Sequence, residues 1–308
     1  MMLIISCIFA GAAYMQDSLA PLGQPVDIGL PAPREWISSS TLSWVVSIVC
    51  MMVSGLLIIY INRVFNVMRS LTALMASLFF IMQTALPSVV GSFYGGDLMV
   101  LLMLMCVVFM FSSYSNPTSQ RSIYLIFFII TLFSFTDLSA ILYLPVLLLG
   151  FIQMRIFNLR TLLAAAMGFI TPPWILFGFG IVTPDQLTWP DLTLTPSSFP
   201  AHETIQAGVA AGYTLVLGVG FTIANLLKIL SYNARIRAFN GLLTLLLFAT
   251  GVFAIINFSN FTFYIPLLNC LTAYQIAHFF TYRRSRRSYI PIILIMLSYI
   301  GIYFWAVG

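Results

Sequence analysis

The chain has 308 residues, of which 61% are hydrophobic and 7% charged, with a mean hydropathy of +1.03. A soluble domain carries about 25% charged residues. So few charges exclude a water-soluble globular domain, and lipid is the solvent this composition suits. The net charge of +5 is no nucleic-acid signature, because the basic residues lie in short turns rather than on one broad face.

A helix that crosses a bilayer needs about 20 apolar residues. Read in order, the chain offers eleven candidates: Met1–Met15, Thr41–Ile61, Leu71–Phe93, Leu98–Ser113, Ser122–Phe135, Leu138–Met154, Thr161–Val182, Ile205–Leu230, Gly241–Phe258, Phe261–Phe280 and Tyr289–Ala306. The first and fifth are short, so the expected range is ten to eleven. The fold class is all-α, a polytopic transmembrane helical bundle forming a single integral membrane domain over 1–308.

Charge placement supports this division. Twelve of the thirteen basic residues fall in even-numbered turns, at about 62–70, 114–121, 155–160, 231–240 and 281–288, or at the helix end leading into one; Arg34 is the exception. All eight acidic residues fall in odd-numbered turns: Asp17, Asp27, Glu35, Asp97, Asp137, Asp185, Asp191 and Glu203. The positive-inside rule then places the even turns in the cytoplasm. The N-terminus is expected inside, the C-terminus outside, and the protein in a bacterial inner membrane.

The opening MMLIISCIFAGAAYM lacks the charged head of a signal peptide. It is expected to be a retained membrane helix, with the true start upstream. Two extracytoplasmic loops, about 16–40 and 183–204, carry four prolines each and are expected to be irregular. Trp36 and Trp189 suit the headgroup boundary.

Few residues offer chemistry. Cys7, Cys50, Cys106 and Cys270 lie singly in apolar runs, so neither disulfide nor zinc is indicated. His202 and His278 are too far apart in sequence to suggest a metal pair. No catalytic, cofactor-binding or metal-ligating set is expected, and no cofactor. Asp97, Asp137 and Glu203 stand at helix starts, where a carboxylate can act as a base or hold a cation; capping is the expected role.

On the tenth span Asn269, Thr272, Gln275 and His278 recur every three residues and form one ridge. Such a ridge can line a polar path or join helices through hydrogen bonds, and the second role is expected. Gln83 and Asn225 are single intramembrane polar residues. Gly208 and Gly212 make a GxxxG pair, read with Gly218 and Gly220 as a packing device. Arg283, Arg284, Arg286 and Arg287 form a basic turn suited to anionic lipid headgroups. The expected partners are the bilayer, those headgroups and another membrane protein, with no nucleic acid.

The centre of the chain reads FTDLSAILYLPVLLLGF, then Arg155-Ile-Phe-Asn-Leu-Arg160, then an apolar helix with Gly168 and Thr171-Pro172-Pro173. These motifs resemble a family of uncharacterised polytopic inner-membrane proteins of Gram-negative bacteria, known as a domain of unknown function. The resemblance covers roughly the middle third of the chain. It implies location and topology and assigns no catalytic residue. Pro172 and Pro173 leave the carbonyls of Gly168 and Phe169 without helical donors, so a kink facing protein is expected there.

Two functions fit. The favoured one is a non-catalytic envelope or transport-related membrane subunit. The alternative is an envelope glycosyltransferase or polymerase acting on lipid-linked sugars. It would draw its base from Asp17 or Asp27 and meet phosphate with Arg34 and His202.

Overall fold

The computed structural model describes residues 2–15, 29–68, 72–116, 118–183, 202–228, 232–282 and 289–307. Among them there is no strand, and twelve α-helices follow one another. These are α1 (Met2–Met15), α2 (Ser40–Phe65), α3 (Thr72–Thr84), α4 (Pro87–Val90), α5 (Gly95–Ser112) and α6 (Gln120–Ser134). They continue with α7 (Tyr143–Met154), α8 (Leu159–Gly178), α9 (His202–Leu226), α10 (Ala234–Ile256), α11 (Ile265–Tyr282) and α12 (Tyr289–Val307). Short 3₁₀ segments at Leu138–Leu142 and Phe258–Tyr264 lead into α7 and α11.

Six of these helices are long and apolar enough to cross a membrane: α2, α5, α8, α9, α10 and α12. The other expected spans also fall on helices, but α1, α3, α6 and α7 have only 12 to 15 residues. The Leu71–Phe93 run, expected as one span, is broken. Pro87 lacks an amide hydrogen and disfavours helix in the residue before it. Leu86 is accordingly extended at φ −116°, ψ 103°, and α4 starts afresh at Pro87.

At the centre lies α11. It packs against α9, α3, α10 and α5, and from Phe261 to Phe280 every residue is buried except the half-buried Phe279. Around this core, α2 packs on α5 and α3, and α7 on α10; α1 and α12 both lie against α3. The expected first helix is thus a packed element: Ser6 is buried, and Tyr303 donates to the Phe9 carbonyl at 3.0 Å.

The basic turns are locally specified. Asn62 accepts from the Met68 amide at 2.7 Å and donates to the Met68 carbonyl at 3.2 Å, closing the turn after α2. Asn66, Ser115 and Arg155 adopt left-handed backbone in the turns after α2, α5 and α7. The Ser115 amide bonds the Met154 carbonyl at 3.0 Å, tying two of those turns together. Asn158 and Thr161 form a reciprocal capping box that starts α8.

The expected kink at Pro172 and Pro173 falls inside α8, which continues to Gly178 with Pro172 on its buried face. The Thr171 hydroxyl donates to the Met167 carbonyl at 2.6 Å, not to the carbonyls that lost their donors. The buried face of α8 is Thr161, Ala165, Gly168, Pro172 and Leu176, a stripe at helical spacing. It rests on α6. A side chain at Gly168 would run into the Tyr124 carbonyl oxygen and Phe127, so glycine is what allows this backbone approach.

Candidate functional site: the polar ridge of α11

All four ridge residues are buried: Asn269, Thr272, Gln275 and His278. Spaced three apart on a helix of 3.6 residues per turn, they form a ridge that winds about 60° per step around α11, and the surrounding helices decide what it does. Asn269 donates to the Gln83 side-chain oxygen at 3.1 Å and to the Met82 carbonyl at 3.3 Å, both on α3. Thr272 donates to the Thr214 carbonyl of α9 at 3.3 Å. Gln275 donates to the Thr244 hydroxyl of α10 at 3.1 Å and accepts from Asn225 of α9 at 2.9 Å. Asn225 also donates to the Gln275 carbonyl at 3.0 Å.

Three successive ridge residues therefore reach three helices. In hydrocarbon each amide needs a protein partner, and each finds one on a neighbour. The sequence marked the ridge but ranked Gln83 and Asn225 as isolated; they are its partners. Thr214 and Thr244 were missed altogether, because threonine in an apolar run gives no periodic signal.

The C-terminal end of the ridge is aromatic. His278 meets the Tyr232 ring edge-on, with centroids 5.0 Å apart, and lies 5.5 Å from the Tyr274 ring. Asn240 lies one turn before Thr244, the partner of Gln275, on α10. Asn240 is fully buried, and among the described residues neither its amide nitrogen nor its oxygen has a hydrogen-bond partner.

At the other end, the ridge runs up to a hydrogen-bonded turn. Asp137 accepts from the Ser139 amide at 3.0 Å, the expected cap, here on the 3₁₀ segment before α7. It also accepts from Asn260, whose nitrogen lies 3.3 Å from Oδ2 and 3.0 Å from the Ser139 hydroxyl. Asn257 donates to the same hydroxyl at 3.1 Å and to the Tyr264 hydroxyl at 3.2 Å. Asn257 and Asn260 went unnoticed in sequence; the signal available was two asparagines three apart at the break between two apolar runs.

Helix α5 starts at Gly95 with Tyr94 in the cap position, so Asp97 lies in the first turn, where its carboxylate accepts from the Tyr94 backbone amide as the third residue of a capping box does. Asp97 is buried and accepts from the Ser47 hydroxyl of α2 at 2.9 Å. It joins two helices. The glycines before it permit the approach of the α11 lead-in: a Cβ on Gly96 would stand 2.9 Å from the Phe263 carbonyl oxygen, and one on Gly95 3.0 Å from Asp137 Oδ2. Glu203 does lie in the first turn of α9.

The GxxxG reading is also corrected. A side chain at Gly208, Gly212 or Gly220 would meet nothing within 4 Å. Gly218 faces inward, where a Cβ would come within 2.6 Å of the Thr272 hydroxyl. Among the described residues no group of three or more His, Cys, Asp or Glu is placed to hold a metal ion. Asp17, Asp27, Trp189 and the arginines 283, 284, 286 and 287 lie outside the described residues, as does most of both proline-rich loops.

Fold and site together define a membrane protein, all-helical among the described residues, in which polar side chains of one buried helix bind three of its neighbours. No protein-family model, curated protein or solved structure matches the chain.

Proposed function

We propose that this chain is a multi-pass bacterial inner-membrane protein that works as a non-catalytic envelope or transport-related subunit. The observation that carries the reading is the closure of the α11 ridge. Its amide and hydroxyl groups bind α3, α9 and α10, so they hold a scaffold together instead of facing a substrate. The apolar exteriors of α8 and α12 give such a scaffold surfaces to present within the membrane; Trp174, Phe179, Leu294 and Phe304 are all well exposed.

In this reading the chain crosses eleven times, with α3 and α4 acting as one crossing and the 3₁₀ lead-ins extending α7 and α11. The basic turns lie in the cytoplasm, the N-terminus inside and the C-terminus outside, as the alternation of charge favours.

The test is recovery of the tagged chain from its native membrane in mild detergent, followed by mass spectrometry. A membrane protein co-purifying in constant proportion is expected; recovery of this chain alone overturns the subunit reading. Single Asp17→Asn, Asp27→Asn, Asp97→Asn and Asp137→Asn variants address the enzyme alternative. Unchanged envelope glycans in all four are expected, whereas loss of a glycan at normal protein level would favour the lipid-linked sugar enzyme.

A further inference from the structure

A groove of about 510 Å³ opens at the basic end of the bundle, between the last turn of α7 and the first turns of α10, with Leu226 of α9 on its edge. Arg155 and Arg237 border it, together with Gln153; its apolar walls include Leu226 and Phe248. No acidic residue lines it. The residues at its two ends differ in kind. From Arg237 to Phe248 is eleven helical residues, or about 16 Å at 1.5 Å per residue, against about 15 Å for the hydrocarbon depth of one leaflet.

Each arginine is unusual in one local respect, although the charge of Arg155, at the C-terminus of α7, suits the helix dipole. Arg155 holds a left-handed backbone at φ 57°, a conformation that costs a side-chain-bearing residue about 1 kcal/mol and usually falls to Gly or Asn. Arg237 stands in the first turn of α10, where the helix dipole disfavours a cation and where no acidic residue compensates. Both oddities bring a guanidinium to the same groove. Gly241 completes its shape: a Cβ there would come within 2.7 Å of the Gln153 amide nitrogen, so glycine lets that side chain lie flat along α10.

The geometry points to a binding site for one anionic glycerophospholipid, its phosphate held by Arg155 and Arg237 and an acyl chain lying along Leu226 and Phe248. The match is one of charge and of depth: two guanidiniums, which pair well with phosphate oxygens, stand at the headgroup level above an apolar wall about one leaflet deep. The site is separate from the arginine turn at 283–287. It depends on the membrane-spanning helices and not on the subunit reading, so the presence or absence of a co-purifying protein has no bearing on it.

The test uses the purified full-length chain, delipidated in mild detergent, with phosphatidylglycerol, phosphatidylcholine or inorganic phosphate added separately. Retained lipid is counted by native mass spectrometry and stabilisation is read as a thermal shift. Phosphatidylglycerol is expected to be retained and to stabilise in preference to phosphatidylcholine, with inorganic phosphate having little effect. The Arg155→Gln/Arg237→Gln variant is expected to bind phosphatidylglycerol about 10- to 30-fold more weakly, each arginine near the surface contributing on the order of 1 kcal/mol. Arg63→Gln removes a basic-turn charge away from the groove and is expected to bind as the wild type does.

Three results would overturn the proposal: equal retention of the two lipids, equal stabilisation by inorganic phosphate, or undiminished binding by the double variant. Should the double variant not fold, the first two comparisons on the wild-type chain decide the matter.

Discussion

Helices α11 and α12 follow one another and have 18 and 19 residues, yet they occupy opposite environments. α11 is buried on every side. α12 buries Ile295, Tyr299 and Tyr303, one narrow stripe, and turns the rest outward. The buried helix is the more polar of the two, with an amide, a hydroxyl, an amide and an imidazole at three-residue intervals, whereas α12 is apolar almost throughout. In water this order would be reversed. In lipid the surroundings are as apolar as leucine, so apolar side chains gain little by turning inward, and hydrogen-bonding groups and small residues decide which helix goes to the middle. Even the contacts of α12 follow that rule: Tyr299 meets Thr214 at 2.7 Å and Ser298 meets Tyr213 at 2.8 Å, both on α9.

The comparison can be broken most severely with glycines. Gly218→Leu drives a side chain into Thr272 and Leu247 and is expected to cost at least the ~1–3 kcal/mol of ordinary overpacking. Gly301→Leu on α12 meets open space and is expected to stay within about 0.5 kcal/mol of wild type. Denaturation of both variants in the same mixed micelles checks this, and equal losses would mean that α12 is packed as closely as α11.

Gln275→Leu comes next. It removes the side chain that Asn225 and the Thr244 hydroxyl share, leaving Asn225 only the backbone carbonyl of position 275, a loss of about 1–2 kcal/mol by the same measurement. A double-mutant cycle of Asn225→Ala with Gln275→Ala then isolates the pair itself, for which a coupling near 0.6 kcal/mol is expected. A coupling of zero would show that the two residues do not hold α9 to α11. The smallest effect belongs to Leu297→Ala on the exposed face of α12, expected to shift stability by less than about 0.5 kcal/mol. A larger loss in native membrane than in detergent would reveal a protein partner on that face.

How much of this was written in the chain depends on the kind of signal. Helicity and membrane residence follow from composition, and the ridge from its three-residue period. The contacts that give the ridge its role are not periodic. Asn225, Gln83, Thr214 and Thr244 each stand alone in an apolar run, and only the packing of four helices brings them to α11. Local capping rules likewise show only part of what Asp97 does, because a carboxylate at a helix start has the same sequence signature whether or not it also receives a hydroxyl from α2. The GxxxG pair misled for a related reason. Small residues state that close approach is possible, and the inward turn of Gly218 shows which glycine the bundle uses. Pro172 and Pro173 read as a kink facing protein, and the buried stripe from Gly168 through Pro172 to Leu176 on α6 supplies lateral contact across the two missing donors.

The central claim is that the α11 ridge joins helices and does not line an aqueous path. Cysteine accessibility tests it most directly. In a background without the four native cysteines, Thr272→Cys is probed in intact membranes with a small, charged thiol reagent from both sides, with Ser115→Cys in an exposed turn as the reference. A closed ridge leaves position 272 unlabelled while position 115 reacts fully. Labelling at 272 at a rate comparable to that at 115 would contradict the claim and make the ridge the wall of a water-filled path.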